Sequence, residues 1–185
     1  MNRTPRIHLS PEPASAAERN GYAGGMDDEV LHGYLQHHWA GSTAGVALFR
    51  RVAGTHGIAE VAVAVGELAE EVTEERETQR RIMHDVGTRP SALGTVAARV
   101  GAELGRLKPN GRILTRSPLT DLVEIEALRI AVFGKRSGWQ VLRAVADDDP
   151  RLDAALLDDL VGRSDRQLET LGRLHLTTAR RRIVS

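Results

Sequence analysis

Two histidines and three glutamates fall where helical periodicity turns them toward, or close to, a shared interior: His38, His175, Glu71, Glu75 and Glu126. Imidazole and carboxylate groups hold iron, manganese or zinc, and the same groups pass protons in acid–base catalysis. Whether the five can meet depends on the direction of the helices that carry them. In an up-down-up-down bundle, His38 lies about 11 residues above the start of the first helix and Glu75 about 11 above the end of the second. Glu126 lies about 8 above the start of the third and His175 about 7 above the end of the fourth. At the helical rise of 1.5 Å per residue, these heights agree within ~6 Å. A long crossover between the second and third helices would make those two parallel, and would move Glu126 and His175 to the end opposite His38.

Each candidate also has a plain structural reading. A diiron carboxylate bundle takes Glu-x-x-His from two helices and a single Glu from each of the others. Only Glu29-Val30-Leu31-His32 matches here, in a first turn where a glutamate favours the helix dipole in any case. Glu67, Glu70, Glu71, Glu74, Glu75 and Glu77 crowd one helix. Most of them read as a solvated face with pairs such as Glu77 to Arg81, and Glu71 and Glu75 lie nearest the inward stripe. Glu126 sits near the centre of an apolar arc beside Leu122, Arg129 and Phe133. It reads either as a buried ion pair with Arg129 or as a ligand or acid–base carboxylate. His38 and His175 lie on inward stripes, where a lone histidine is ordinarily a hydrogen-bonded core residue.

Four long stretches of helical periodicity must position these groups. The first runs from about Asp28 to Ala53 with the stripe Leu31, Leu35, His38, Ser42, Gly45, Phe49 and Val52. Gly41, Ser42 and Gly45 each lower helix propensity, which a close neighbouring helix would explain. After a turn at Gly54–Gly57, the second runs from about Ile58 to Val86 with the stripe Ile58, Val61, Val65, Leu68, Val72, Gln79, Met83 and Val86. Gly87 and Pro90 stop it. Ser91 to Leu107 reads as a shorter helix inside a long connection. The third begins at Ser117-Pro118, an N-cap followed by proline at the first helical position, and reaches about Ala146. Its apolar residues Leu119, Leu122, Val123, Ile125, Ile130, Val132 and Phe133 spread over a wide arc, as in a deeply buried helix. Asp147 to Asp149 close it. Pro150 opens the fourth, which runs to about Arg182 with the stripe Leu156, Leu160, Ser164, Gln167, Leu171, His175 and Thr178.

Composition limits the rest. The chain has 185 residues, enough for one domain with its own core. Residues 1–26 are rich in proline and glycine and read as a disordered arm, with residues 27–185 as the bundle domain. Aromatic residues make up only 3%, so aliphatics and alanine must fill the core. Of the 25 basic residues only Lys108 and Lys135 are lysine. The net formal charge of zero argues against a nucleic-acid partner. The Arg180-Arg181-Arg182 run complements a helix C-terminus. The absence of cysteine removes disulfides, thiol catalysis and cysteine-zinc sites. No apolar run approaches the ~20 residues of a membrane span, and no secretion signal opens the chain. A cytoplasmic protein is expected.

Three segments carry a resemblance when taken together: Tyr34-Leu35-Gln36-His37-His38 with Ala40-Gly41-Ser42-Thr43-Ala44-Gly45, then Gly105-Arg106-Leu107-Lys108-Pro109-Asn110-Gly111-Arg112, then Ser117 to Glu126. Over about Val30 to Ile183 the chain resembles a family of actinobacterial ferritin-like four-helix-bundle proteins. The resemblance implies an all-α, ferritin-like four-helix bundle with an extra helix in the connection between the second and third helices. It brings no activity with it. In the wider ferritin-like class it would imply diiron oxidation or iron storage, but a second Glu-x-x-His is absent here. The first expectation is therefore a binding or structural protein without the standard diiron site. The second is a metal-dependent oxidoreductase using His38, Glu71, Glu75, Glu126 and His175 with iron, manganese or zinc. The third is an assembly subunit whose helical faces pair two bundles as a homodimer.

Overall fold

The computed structural model describes residues 26–91 and 117–184. The predicted arm before Met26 and the short helix expected within 91–107 lie outside the described residues, apart from Met26 and Ser91 themselves. Four helices form: α1 (Asp28–Thr55), α2 (Ala59–Asp85), α3 (Pro118–Val145) and α4 (Ala154–Ile183). Among the described residues there is no strand, and no helix is long and apolar enough to cross a membrane.

Local chemistry sets the helix ends. Asp27 accepts hydrogen bonds from the backbone N–H of Glu29 and Val30 at 3.1 Å, satisfying two donors that have no partner within α1. Ser117 caps α3 by accepting from the Leu119 N–H, with Pro118 at the first helical position. Gly87 adopts φ 86°. In that left-handed geometry its N–H reaches the His84 carbonyl and the Thr88 N–H reaches that of Met83, closing α2. One boundary differs from the expectation. Pro150 does not open α4, because Asp153 caps it three residues later by accepting from Ala155 and Leu156. Asp149 and Arg151 pair within the turn instead.

The packing pattern fixes the topology. α1 packs on α2 and α3, and α4 packs on α3 and α2. Arg51 meets Glu124 at 3.4 Å, while His38 lies against Gly138, so α1 and α3 are antiparallel. Arg181 pairs with Glu60 and Arg163 with Glu74, so α2 and α4 are antiparallel. The Asp121 carboxylate accepts from the Gly57 N–H and from Arg182, joining the α1–α2 turn, the start of α3 and the end of α4. At the other end Arg151 reaches Asp28 and the Val86 carbonyl. It follows that α2 and α3 run parallel. Of the two helix arrangements left open by the sequence, the one with parallel α2 and α3 is adopted, and the up-down-up-down arrangement that would have levelled His38, Glu75, Glu126 and His175 is not.

The interior is layered. One apolar cluster surrounds Phe49, Val52, Val65, Ile125, Leu128 and Leu171. A second surrounds Leu35, Met83, Trp139, Leu142, Leu157 and Leu160. Between them along the chain lie the buried polar residues Glu75, Thr78, Gln79 and Gln167. The predicted α2 stripe is buried throughout, and that of α4 is nearly so. The α3 arc requires correction: Leu119, Ile130 and Phe133 are exposed, and the buried face is Ile125, Leu128, Val132, Trp139 and Leu142. Both faces of this helix carry large apolar residues, so periodicity alone gave no direction.

Candidate functional site

The polar layer is centred on Glu75, which is 1% exposed. Lys135 of α3 extends its ammonium into direct contact with Oε2 of Glu75 and donates to the Gln167 Oε1 at 2.5 Å. The Gln167 amide of α4 donates at 2.8 Å to both Glu71 and Glu75, joining the two carboxylates. Arg163 adds a second positive charge 3.4 Å from Glu75. Both oxygens of Glu75 and both polar atoms of the Gln167 amide therefore face complementary groups, as burial of charge requires. Burial pushes the Lys135 ammonium below its usual range, and the attraction of Glu75 opposes that shift.

Beside this layer, α1 and α3 separate to leave a cleft of about 520 Å³. Its mouth lies among His37, Gly41, Ile130 and Gly134, which are exposed, and its floor is built from buried Phe49, Val132, Glu75 and Leu142. The mid-helix glycines thus have a different role from the expected one. Among the described residues, a Cβ at Gly41, Gly45 or Gly134 would meet nothing within 4 Å, so none of the four described helices approaches these positions closely and they border open space. Gly138 is the opposite case: a Cβ there would stand 2.8 Å from His38 Nδ1, so only glycine leaves room for that ring. Gly45→Ala is accordingly expected to stabilise the protein by about 0.5–1 kcal/mol, the helix-interior cost of glycine. Urea unfolding checks it, and an unchanged midpoint would mean that the space is already filled in solution.

The five candidates separate into three places. Glu75 and Glu71 share Gln167 in the polar layer. His38 lines the cleft between Tyr34, at 4.5 Å between ring centroids, and Gly138. Glu126 is a correction: it is half exposed rather than central to a buried arc, and it pairs with His175 at 3.1 Å rather than with Arg129. Along α3 it lies twelve residues from Gly138, roughly 18 Å at the helical rise. Among the described residues no three histidine, aspartate or glutamate side chains are grouped so as to hold a metal ion. Two residues at the centre of the layer, Lys135 and Gln167, are not among the five candidates. The signal was present, since Lys135 is one of two lysines among 25 basic residues and Gln167 is a polar residue on an inward stripe.

Two further donors line or border the cleft. Arg76 stacks over the Trp39 ring at 3.8 Å and donates to Thr43, while its buried Nε has no partner among the described residues. The buried indole N–H of Trp139 also lacks one. Both residues line the cleft. Its walls are mainly apolar, and its few polar groups include the Arg76 Nε and Trp139 Nε1 donors, which have no partner among the described residues.

Burial, and secondarily the neighbouring His37, holds His38 below its ordinary value of 6.5. The unfolded chain therefore takes up this proton first. The contribution of His38 to stability is complete above 6.5 and is lost as pH falls from 6.5 toward the lower folded value. His38→Gln is expected to flatten part of the decline in Tm between about pH 7 and pH 5. An identical slope in both proteins would remove His38 as a source of it.

No protein-family model, curated protein or solved structure matches the chain.

Proposed function

We propose that this chain is a ferritin-like helical bundle acting as a binding protein, with a mainly apolar small molecule taken up in the cleft between α1 and α3. The observation that carries the reading is the cleft itself, about 520 Å³, bordered by Gly41, Gly45 and Gly134, at which a Cβ would meet nothing within 4 Å among the described residues. That volume falls within the range of small-molecule pockets, roughly 300–1,000 Å³. The walls suit such a ligand, being apolar with a few fixed polar groups. The parallel α2 and α3 support the ferritin-like part of the reading, because a bundle with a single crossover has that arrangement. The alternative, a metal-dependent oxidoreductase, keeps only Glu71 and Glu75 as close neighbours, and Lys135 already supplies positive charge to Glu75.

Titration with Nile red, whose emission rises and shifts blue in apolar surroundings, tests the reading. Wild-type protein is expected to bind it. Gly45→Leu, which places a side chain into the open space, is expected to weaken binding by at least about tenfold, one bulky group closing a pocket being worth 1–3 kcal/mol. Circular dichroism confirms that the variant is folded. Equal binding by the two proteins would place the dye elsewhere and remove the cleft from the account.

A further inference from the structure

Lys135 combines three properties that seldom coincide. It is one of two lysines in the chain, it is 16% exposed at the side chain, and it lines an apolar cleft while touching a carboxylate that is 1% exposed. If only a buried positive charge were needed here, arginine would supply it, and this chain uses arginine at 23 of its 25 basic positions. What lysine offers and arginine does not is a primary amine that can lose its proton and attack carbon.

We propose that Lys135 is an imine-forming residue that captures an aldehyde with an apolar chain inside the cleft, with Glu75 as its proton partner. This rests on the cleft being a small-molecule site. The ammonium passes one proton to Glu75 Oε2, its direct contact. The freed amine adds to the carbonyl carbon, so a C–N bond forms as the C=O π bond opens. Glu75 gives its proton to the carbonyl oxygen and takes one from the nitrogen, leaving a neutral carbinolamine. It then protonates the hydroxyl, which departs as water while the nitrogen lone pair closes the C=N bond. The product is a protonated imine beside the Glu75 carboxylate. One water is released, no electron changes hands and no co-reactant is needed. Gln167 is the positioning residue, because its amide donates to Glu75 while its carbonyl accepts from Lys135 and so holds the two in register.

The test is reductive trapping of full-length protein with decanal and sodium cyanoborohydride, followed by peptide mass spectrometry. Lys108, the other lysine, serves as an internal comparison, so no variant is needed to read the result. Lys135 is expected to label at least about tenfold faster than Lys108, and faster with decanal than with acetaldehyde by a similar factor, because the cleft concentrates the longer chain. Lys135→Arg is expected to abolish the adduct at that position. Glu75→Gln, its fold checked by circular dichroism, is expected to slow trapping at Lys135 by at least about tenfold relative to Lys108 in the same protein and to remove the pH dependence that the carboxylate gives to trapping, which a merely structural carboxylate would not do. Labelling of Lys135 no faster than Lys108 overturns the proposal. Decanol, which has the chain without the carbonyl, separates the two readings. If it displaces Nile red while decanal leaves no adduct, the cleft binds but the lysine does not react. If neither displaces the dye, the binding reading fails as well.

Discussion

Glu75→Leu is expected to destabilise the protein by about 3–5 kcal/mol, the usual cost of removing one partner from a buried ion pair. The carboxylate is the hub of the polar layer, touching Lys135, Gln167 and Arg163 at once. Without it the Lys135 ammonium keeps only Gln167 as a partner, and the Gln167 amide keeps only Glu71. Arg163, which is 26% exposed at the side chain, can turn toward solvent and Glu74, so it limits the loss without cancelling it. Removing the whole set should behave differently. The triple change Glu75→Leu, Lys135→Met and Gln167→Leu leaves no buried charge unpaired, and is expected to recover most of the lost stability, since apolar replacement of an ion pair is often neutral or better. Urea unfolding of the single and triple variants at matched slope checks both parts. A loss below about 1 kcal/mol in Glu75→Leu would mean that water reaches the pair, as it does for ordinary surface ion pairs. Near-full recovery in the triple variant would show that the layer is retained for a reason other than stability, in keeping with a site.

Leu128→Ala is expected to cost about 2–5 kcal/mol, and Phe133→Ala five residues later within about 0.5 kcal/mol of zero. The two residues have comparable apolar character but opposite surroundings. Leu128 is fully buried in the cluster shared by α1, α2 and α4, whereas Phe133 is 61% exposed. Truncating Leu128 loses transfer free energy and leaves a cavity among packed neighbours, and truncating Phe133 mainly removes surface already in water. Thermal or urea unfolding gives both numbers. A large loss for Phe133→Ala would mean that its face is covered in solution, and comparison of the loss at several protein concentrations would show whether a second copy covers it.

How far each helix was readable depended on how one-sided its chemistry is. On α2 the buried residues Val61, Val65, Leu68, Val72, Gln79 and Met83 alternate with glutamate and arginine, so one stripe was available and it is the one buried. On α4 the same contrast placed Leu160, Ser164, Gln167, Leu171 and Thr178 inside. Caps at Asp27 and Ser117 and the stop at Gly87 follow from side chains within a few residues of the backbone groups they satisfy. On α3, Leu119, Ile130 and Phe133 compete with Ile125, Leu128 and Val132. A helix with two apolar faces has no preferred direction until neighbours choose one.

The sequence by itself determined four helices, most of their boundaries, the inward stripes of α2 and α4, and the placement of Glu75 and Glu71 near the interior. These depend on interactions spanning a few residues, where propensity, capping and 3.6-residue periodicity act. Tertiary structure alone decided that α2 and α3 run parallel, that Glu126 turns outward to His175, and that Lys135 turns inward to Glu75 across 60 residues of chain. It also decided that glycines on α1 and α3 border an open cleft. Each of these depends on which helix lies opposite, and that is set by the packing of the whole bundle, to which residues far apart in the chain contribute together. A lysine carries the same local signal on a surface as in a core, and only the carboxylate brought against it distinguishes the two.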